Sequence, residues 1–183
     1  MPKRVIFGSV LFLASLALVG AGCGGGEFEE GEMPSGQSGA EQKDIYKGIS
    51  TVTFKQDTNQ AGFQETTHFM LRNLDSQNPD IRWEREFASY GVGGSEIIIL
   101  LGEEQKGWRY SQTEGPGWKT LKESSETNFD QEWDYLSHIE YVLGNMIKDG
   151  QVLKAEYQVG PTIKAYDLEI DKELSDSLFR PEQ

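Results

Sequence analysis

The chain has 183 residues and carries 17 Lys and Arg against 30 Asp and Glu, a formal net charge of −13 at neutral pH. That acid excess excludes a nucleic-acid-binding surface, because phosphate contacts need clustered Lys and Arg. Repulsion from anionic headgroups also argues against a peripheral membrane-binding face, and a single cysteine, Cys23, excludes an intrachain disulfide.

Lys3 and Arg4 form a short basic head, and no charge follows from Val5 to Ala21 (VIFGSVLFLASLALVGA). A charged head, an apolar middle and a small-residue exit make a secretory signal pattern. The run is marginal for a spanning helix, which needs ~20 apolar residues. Gly20-Ala21-Gly22 before Cys23 resembles the lipobox of bacterial-type lipoproteins, with Gly20 standing where leucine is commonest. The resemblance implies a signal peptide over 1–22 and a diacylglyceryl thioether, of the palmitate class, on the sulfur of Cys23. Two alternatives are ordinary cleavage near Ala21, leaving a free thiol, and a retained helical anchor. An exported protein seldom keeps one exposed, oxidisable thiol without a use.

Residues 23–43 (CGGGEFEEGEMPSGQSGAEQK) hold Phe28 and Met33 as their only sizeable apolar side chains. Such a segment cannot bury enough surface to offset its ordering entropy, so it reads as a flexible tether. Twenty residues of this composition span ~25 Å root-mean-square. The folded part is therefore expected close to a cell membrane or outer membrane, facing periplasm or exterior, anchored through Cys23.

Residues 44–183 are the right size for one domain, and their elements read mainly as β. A short helix over Glu41–Lys47 leads into a strand over 50–57, where Val52 and Phe54 share a face. After TNQAG comes a strand with Phe63, Thr67, Phe69 and Leu71 on one face and Gln64, Thr66, His68 and Arg72 on the other. A third strand carries Ile81, Trp83 and Phe87 in step, and Gly91-Val-Gly-Gly reads as a turn. SEIIILLG, an unbroken apolar run, marks a strand covered on both faces. GWRYSQ and WKTLKE follow as short strands, completing an antiparallel meander.

From Phe129 the period changes: Phe129, Trp133, Leu136, Ile139, Leu143, Met146 and Ile147 fall at spacings of three and four, one face of a helix. Asn128 with Gln131 reads as its N-terminal cap and Gly150 as its stop. LKAEYQV and TIKAYDLEI are two closing strands, and SDSLFRPEQ a final turn. The expected fold is α+β: an antiparallel sheet with one long helix and a short N-terminal helix.

No catalytic pattern stands out. His68 and His138 lie on different elements without ligands at zinc spacing. Gly93-Gly94-Ser95-Glu96-Ile97 lacks the closing glycine of a nucleophile elbow, and no phosphate-binding loop is present. Most of the acids fall on polar faces, as solvated surface. No enzyme activity, cofactor or metal is expected.

Large rings do stand out: Trp83, Phe87, Trp108, Tyr110, Trp118, Phe129, Trp133 and Tyr157. They supply either a plain hydrophobic core or the lining of an apolar cleft left between sheet and helix. Pro79 with Arg82-Trp83-Glu84, then IIILLG, Lys106-Gly107-Trp108-Arg109-Tyr110 and Asp176-Ser177-Leu178-Phe179 resemble, in kind and order, the LolA/LolB-like lipoprotein carriers. The likeness covers roughly residues 44–180. It implies a curved, unclosed half-barrel, lidded by helices, that holds acyl chains. This chain is shorter than the typical carrier, which implies a small cavity, and its lipid anchor matches the membrane-bound acceptor of that family. The resemblance thus implies a monomer binding a lipid or lipidated protein, with Trp83, Phe87, Trp108, Trp133 and Leu136 lining the cleft. The alternative is a tethered sensor or protein-interaction module with a packed interior.

Overall fold

Period-two alternation in the sequence becomes a meander of long strands. The computed structural model describes residues 45–76, 78–121 and 128–182; the signal segment, Cys23 and the tether lie outside these. Strands β1 (Thr51–Gln60), β2 (Phe63–Arg72), β3 (Asp80–Ser89), β4 (Val92–Leu101), β5 (Lys106–Ser111) and β6 (Lys119–Thr120) pair each with the next. Later strands β9 (Tyr157–Val159) and β10 (Ile163–Ile170) return to the other side of β1. The result is an eight-stranded antiparallel sheet in the order β6-β5-β4-β3-β2-β1-β10-β9. It is open, with β6 and β9 as its two edges.

Register sorts the side chains. Phe54 faces Phe69, Phe69 faces Trp83, and Trp83 faces Ile98, so these lie in a row on one face of four strands. Helices α1 (Phe129–Trp133) and α2 (Tyr135–Met146) cover that face. Leu136, Ile139, Val142, Leu143 and Met146 pack with Val52, Phe54, Phe69, Leu71, Ile81, Trp83, Ile98 and Leu100 in one cluster. Each fully buried side chain of this kind contributes ~1.5–3 kcal/mol. The helix begins as its sequence dictates: Asn128 Oδ1 accepts from the Gln131 N–H at 2.9 Å, and the Gln131 side chain accepts from the Asn128 N–H at 3.4 Å.

The reverse face is also covered. Met70 and Ile99 pack there with Phe179, from a 3-10 turn over Asp176–Phe179. Arg82, almost fully buried, donates to the Leu178 carbonyl at 2.7 Å and pairs with Glu84 at 2.6 Å. Arg72 pairs with Asp80 and Asp176 and lies 4.1 Å over the Phe179 ring. The expected two-sided burial of IIILLG therefore holds, with the chain's own C-terminal segment as the second cover.

Several expectations need correcting. The short N-terminal helix falls mostly outside the described residues; of its described part only Ile45 is helical, and the chain turns at Gly48 (φ +75°). The Tyr46 carbonyl already accepts from the Ile49 N–H at 2.8 Å, closing a turn instead of a helical run. The turn placed on Gly91-Val-Gly-Gly is instead Tyr90-Gly91, both at positive φ (48° and 83°), the two-residue turn that matches strand twist. Gly93 and Gly94 belong to β4, and a Cβ on Gly94 would lie 2.8 Å from the Phe87 ring that covers it.

Helix α2 ends at Met146, before the stop expected at Gly150, because Ile147 is extended (φ −124°, ψ 138°). It opens a small hairpin, β7 (Ile147–Lys148) with β8 (Gln151–Val152), around Asp149-Gly150 at φ 51° and 73°. The Leu153 N–H then donates to the Met146 carbonyl at 2.8 Å, so LKAEYQV reaches the sheet only at Tyr157. The strand placed on WKTLKE shortens to Lys119–Thr120, with 122–127 outside the described residues.

Candidate functional site

Of the five residues expected to line a cleft, two meet at the centre of the helix-covered core. Trp83 is 2 % exposed and Leu136 6 %. The Trp83 ring stands 6.4 Å from Phe69 and 5.8 Å from Tyr135. Trp133 borders the same cluster from α1, half-buried and stacked on Phe129 at 5.3 Å. Phe87 lies farther along the same face, over Gly94. Trp108 does not join them. It pairs with Ile99 in register, whereas Trp83 pairs with Ile98, so the two tryptophans point to opposite faces of the sheet.

Beyond Trp83 the helix-side face turns polar. Glu96, 2 % exposed, is held between Arg85 and Arg109, both within ion-pair contact. Arg109 also reaches Glu114 at 3.2 Å, and Glu114 holds Lys119 at 2.7 Å. Glu65 stands 4.0 Å from Arg85. Burial works against the Arg85 charge, but Glu96, Glu65 and Glu132 together outweigh it and raise its pKa. From α1, Glu132 faces this cluster, and burial raises its carboxyl above the usual range despite the pull of Arg85. Nearby, His138 shares a hydrogen bond of 3.0 Å with Gln56 and stacks on Tyr135 at 5.1 Å; burial lowers its pKa, which keeps it neutral at pH 7. Taking charges out of water costs several kcal/mol each, so such a cluster survives only when each member is partnered.

These groups bind one another. Every arginine of the cluster has a carboxylate and His138 faces an amide, while the buried Arg85 Nε is left without a hydrogen-bond partner. Among the described residues no group of three His, Cys, Asp or Glu could hold a metal ion. Sequence reasoning missed the cluster, although its signal was in plain view: Arg85 continues the Ile81, Trp83 alternation, and Glu96 continues Ile98, Leu100.

Two concavities stand out, and neither lies between helix and sheet. One, of about 520 Å³, lies against Glu173–Asp176. The other, of about 680 Å³, opens on the reverse face, floored by Trp108, Trp118 and Leu101 and walled by Glu104, Arg180 and Pro181. The Trp118 ring is 5.8 Å from Tyr110, and both tryptophans are only partly buried. Of the expected cleft residues, Trp108 lines the larger of these two concavities. Trp118, one of the large rings of the sequence, lies just before β6, outside any strand, so alternation does not assign it a face.

The class that these features define is an open antiparallel sheet with helix on one face and its own C-terminal segment on the other. Compared with known proteins, the chain matches no family model, no curated protein and no solved structure.

Proposed function

We propose that the protein is a lipid-anchored envelope protein whose folded domain is a tethered interaction module with a packed interior, acting through its surface on a protein partner. The observation that carries this reading is the filled space between helix and sheet. Phe54, Phe69, Ile98, Leu100, Ile139 and Leu143 are all fully buried there, and Trp83 closes the row. A ligand-holding cleft is a cavity of ~300–1,000 Å³ with apolar walls, and these side chains occupy the place it would need. On this reading the LolA-like layout, half-barrel curvature included, serves as a rigid scaffold rather than an acyl-chain container. Lipid at Cys23 and the tether over 23–43 hold that scaffold near the membrane, and the domain is a non-enzymatic monomer. Among the described residues no helix is long and apolar enough to cross a membrane.

Fractionation and intact mass of Cys23→Ala test the anchor. Wild type should pellet with membranes carrying the mass of its acyl groups, and Cys23→Ala should be released or stay unprocessed. An alanine variant that remains membrane-bound at the processed mass contradicts the anchor. A fluorescent fatty-acid probe tests the packed interior: it should show no saturable binding to Cys23→Ala. Saturable binding that strengthens with chain length would favour the carrier-like reading instead.

A further inference from the structure

We infer that the reverse-face groove between β5, β6 and the C-terminal segment is a docking site for an extended, cationic peptide segment of a partner protein, with Lys or Arg side chains seated on Trp108 and Trp118. The inference rests on the reading of the domain as an interaction module and names the surface and the chemistry of its partner.

Two indole rings partly open to water at one groove are costly, and strand register sends Trp108 to this face. Trp108 and Trp118 pack with Ile97, Leu101, Leu174 and Leu178 against the Met70, Ile99 and Phe179 cluster, and each keeps part of its ring accessible at the groove. Tryptophan faces attract cations more strongly than those of the other aromatic residues. Carboxylates rim the groove: Glu104 and Glu182 line it, and Glu103 is adjacent in sequence. Lys106 pairs with Glu104 at 2.8 Å, and Arg180 acts on the same carboxylate. The whole globular segment supports the same sign, since residues 44–183 hold 25 acids and 14 bases. A field of that sign steers positive segments inward and repels acidic ones.

Shape favours a peptide over a compact cation. The groove is about 680 Å³ and open to solvent, larger than one side chain fills. Beside it runs β6, the edge strand of the sheet, whose Lys119 and Thr120 are both exposed. An extended segment laid along that edge would present alternate side chains to the indole floor. Arg180 and Pro181 of the protein's own C-terminal segment line the same groove.

The test uses full-length Cys23→Ala protein and a fluorescein-labelled peptide of alternating Arg and Pro. Its controls are the same peptide with Glu for Arg and a neutral chito-oligosaccharide. Expected are saturable binding of the Arg–Pro peptide alone, quenched tryptophan emission, and weakening as salt rises. Trp118→Ala should weaken binding at least tenfold. Glu104→Lys, at an exposed position that leaves packing intact, should weaken it several-fold and flatten the salt dependence. No binding by the parent protein, undiminished binding in both variants, or preference for the oligosaccharide would overturn the site. The fatty-acid probe in the same samples separates the two levels. Peptide failure without acyl binding removes only the groove, whereas saturable acyl binding removes the packed-module reading beneath it.

Discussion

Trp83 shows how much one position in the row carries. Its ring is almost fully buried between Phe69 and Tyr135, so Trp83→Ala leaves a cavity that the sheet cannot collapse into, and the loss should be ~3–5 kcal/mol. Trp133 is half-buried on α1 and keeps Phe129 as a stacking partner, so Trp133→Ala should cost roughly half as much. Urea denaturation of both variants checks the order. Equal losses would mean that Trp133, too, sits in closed packing.

Glu140 gives the residue scale a pH signature. Burial on α2 raises its pKa from 4.5 to about 7, and it faces the buried Tyr46 phenol, whose own pKa burial raises further. The folded state therefore holds a proton on Glu140 that the unfolded chain releases at lower pH. Its cost is absent below pH 4.5, accumulates as pH rises, and is complete above about 7. His138 works in the opposite sense, since its lowered pKa costs stability as pH falls. Glu140→Gln isolates the first effect: the variant should be more stable than wild type at pH 8 and indistinguishable near pH 4.5. A stability difference that ignores pH would assign Glu140 to contacts rather than charge.

At the scale of elements, what was legible followed from local periodicity. The faces of β2, the two-sided burial of IIILLG and the Asn128–Gln131 capping box could all be read from spacing. What was not legible depended on contacts far along the chain. The hairpin after α2 forms around Asp149-Gly150, a pair read from sequence only as a stop. The reason is tertiary: a Cβ on Gly150 would lie 2.1 Å from the Lys47 carbonyl, so the hairpin packs against the entry to β1. Gly150→Ala should destabilise by more than the ~1 kcal/mol that glycine-to-alanine changes normally involve, with strain at φ 73° added to the clash. A neutral Gly150→Ala, measured by thermal unfolding, would mean that the hairpin moves away from Lys47 at little cost. The C-terminal cover is a second long-range feature. Leu178-Phe179 reads as a polar chain's last turn until Met70 and Ile99 are seen to need a partner on the reverse face.

At the scale of the whole molecule, the candidate site was half legible. The ring residues were visible, but sequence could not tell which face each would take, because one step in register sends a side chain to the opposite side of the sheet. Trp83 went to the core and Trp108 to the groove on that single step. Charge was legible throughout: the acid excess leaves few bases, and the sheet spends Arg72, Arg82, Arg85 and Arg109 on holding its two covers and its polar end together.

The central claim is that the space between helix and sheet is filled by the protein's own side chains. Mass spectrometry of lipids extracted from the natively purified, full-length protein tests it most directly. The account predicts only acyl groups bound covalently at Cys23, released by hydrolysis and not by solvent. A noncovalent lipid recovered in stoichiometric amount would contradict it.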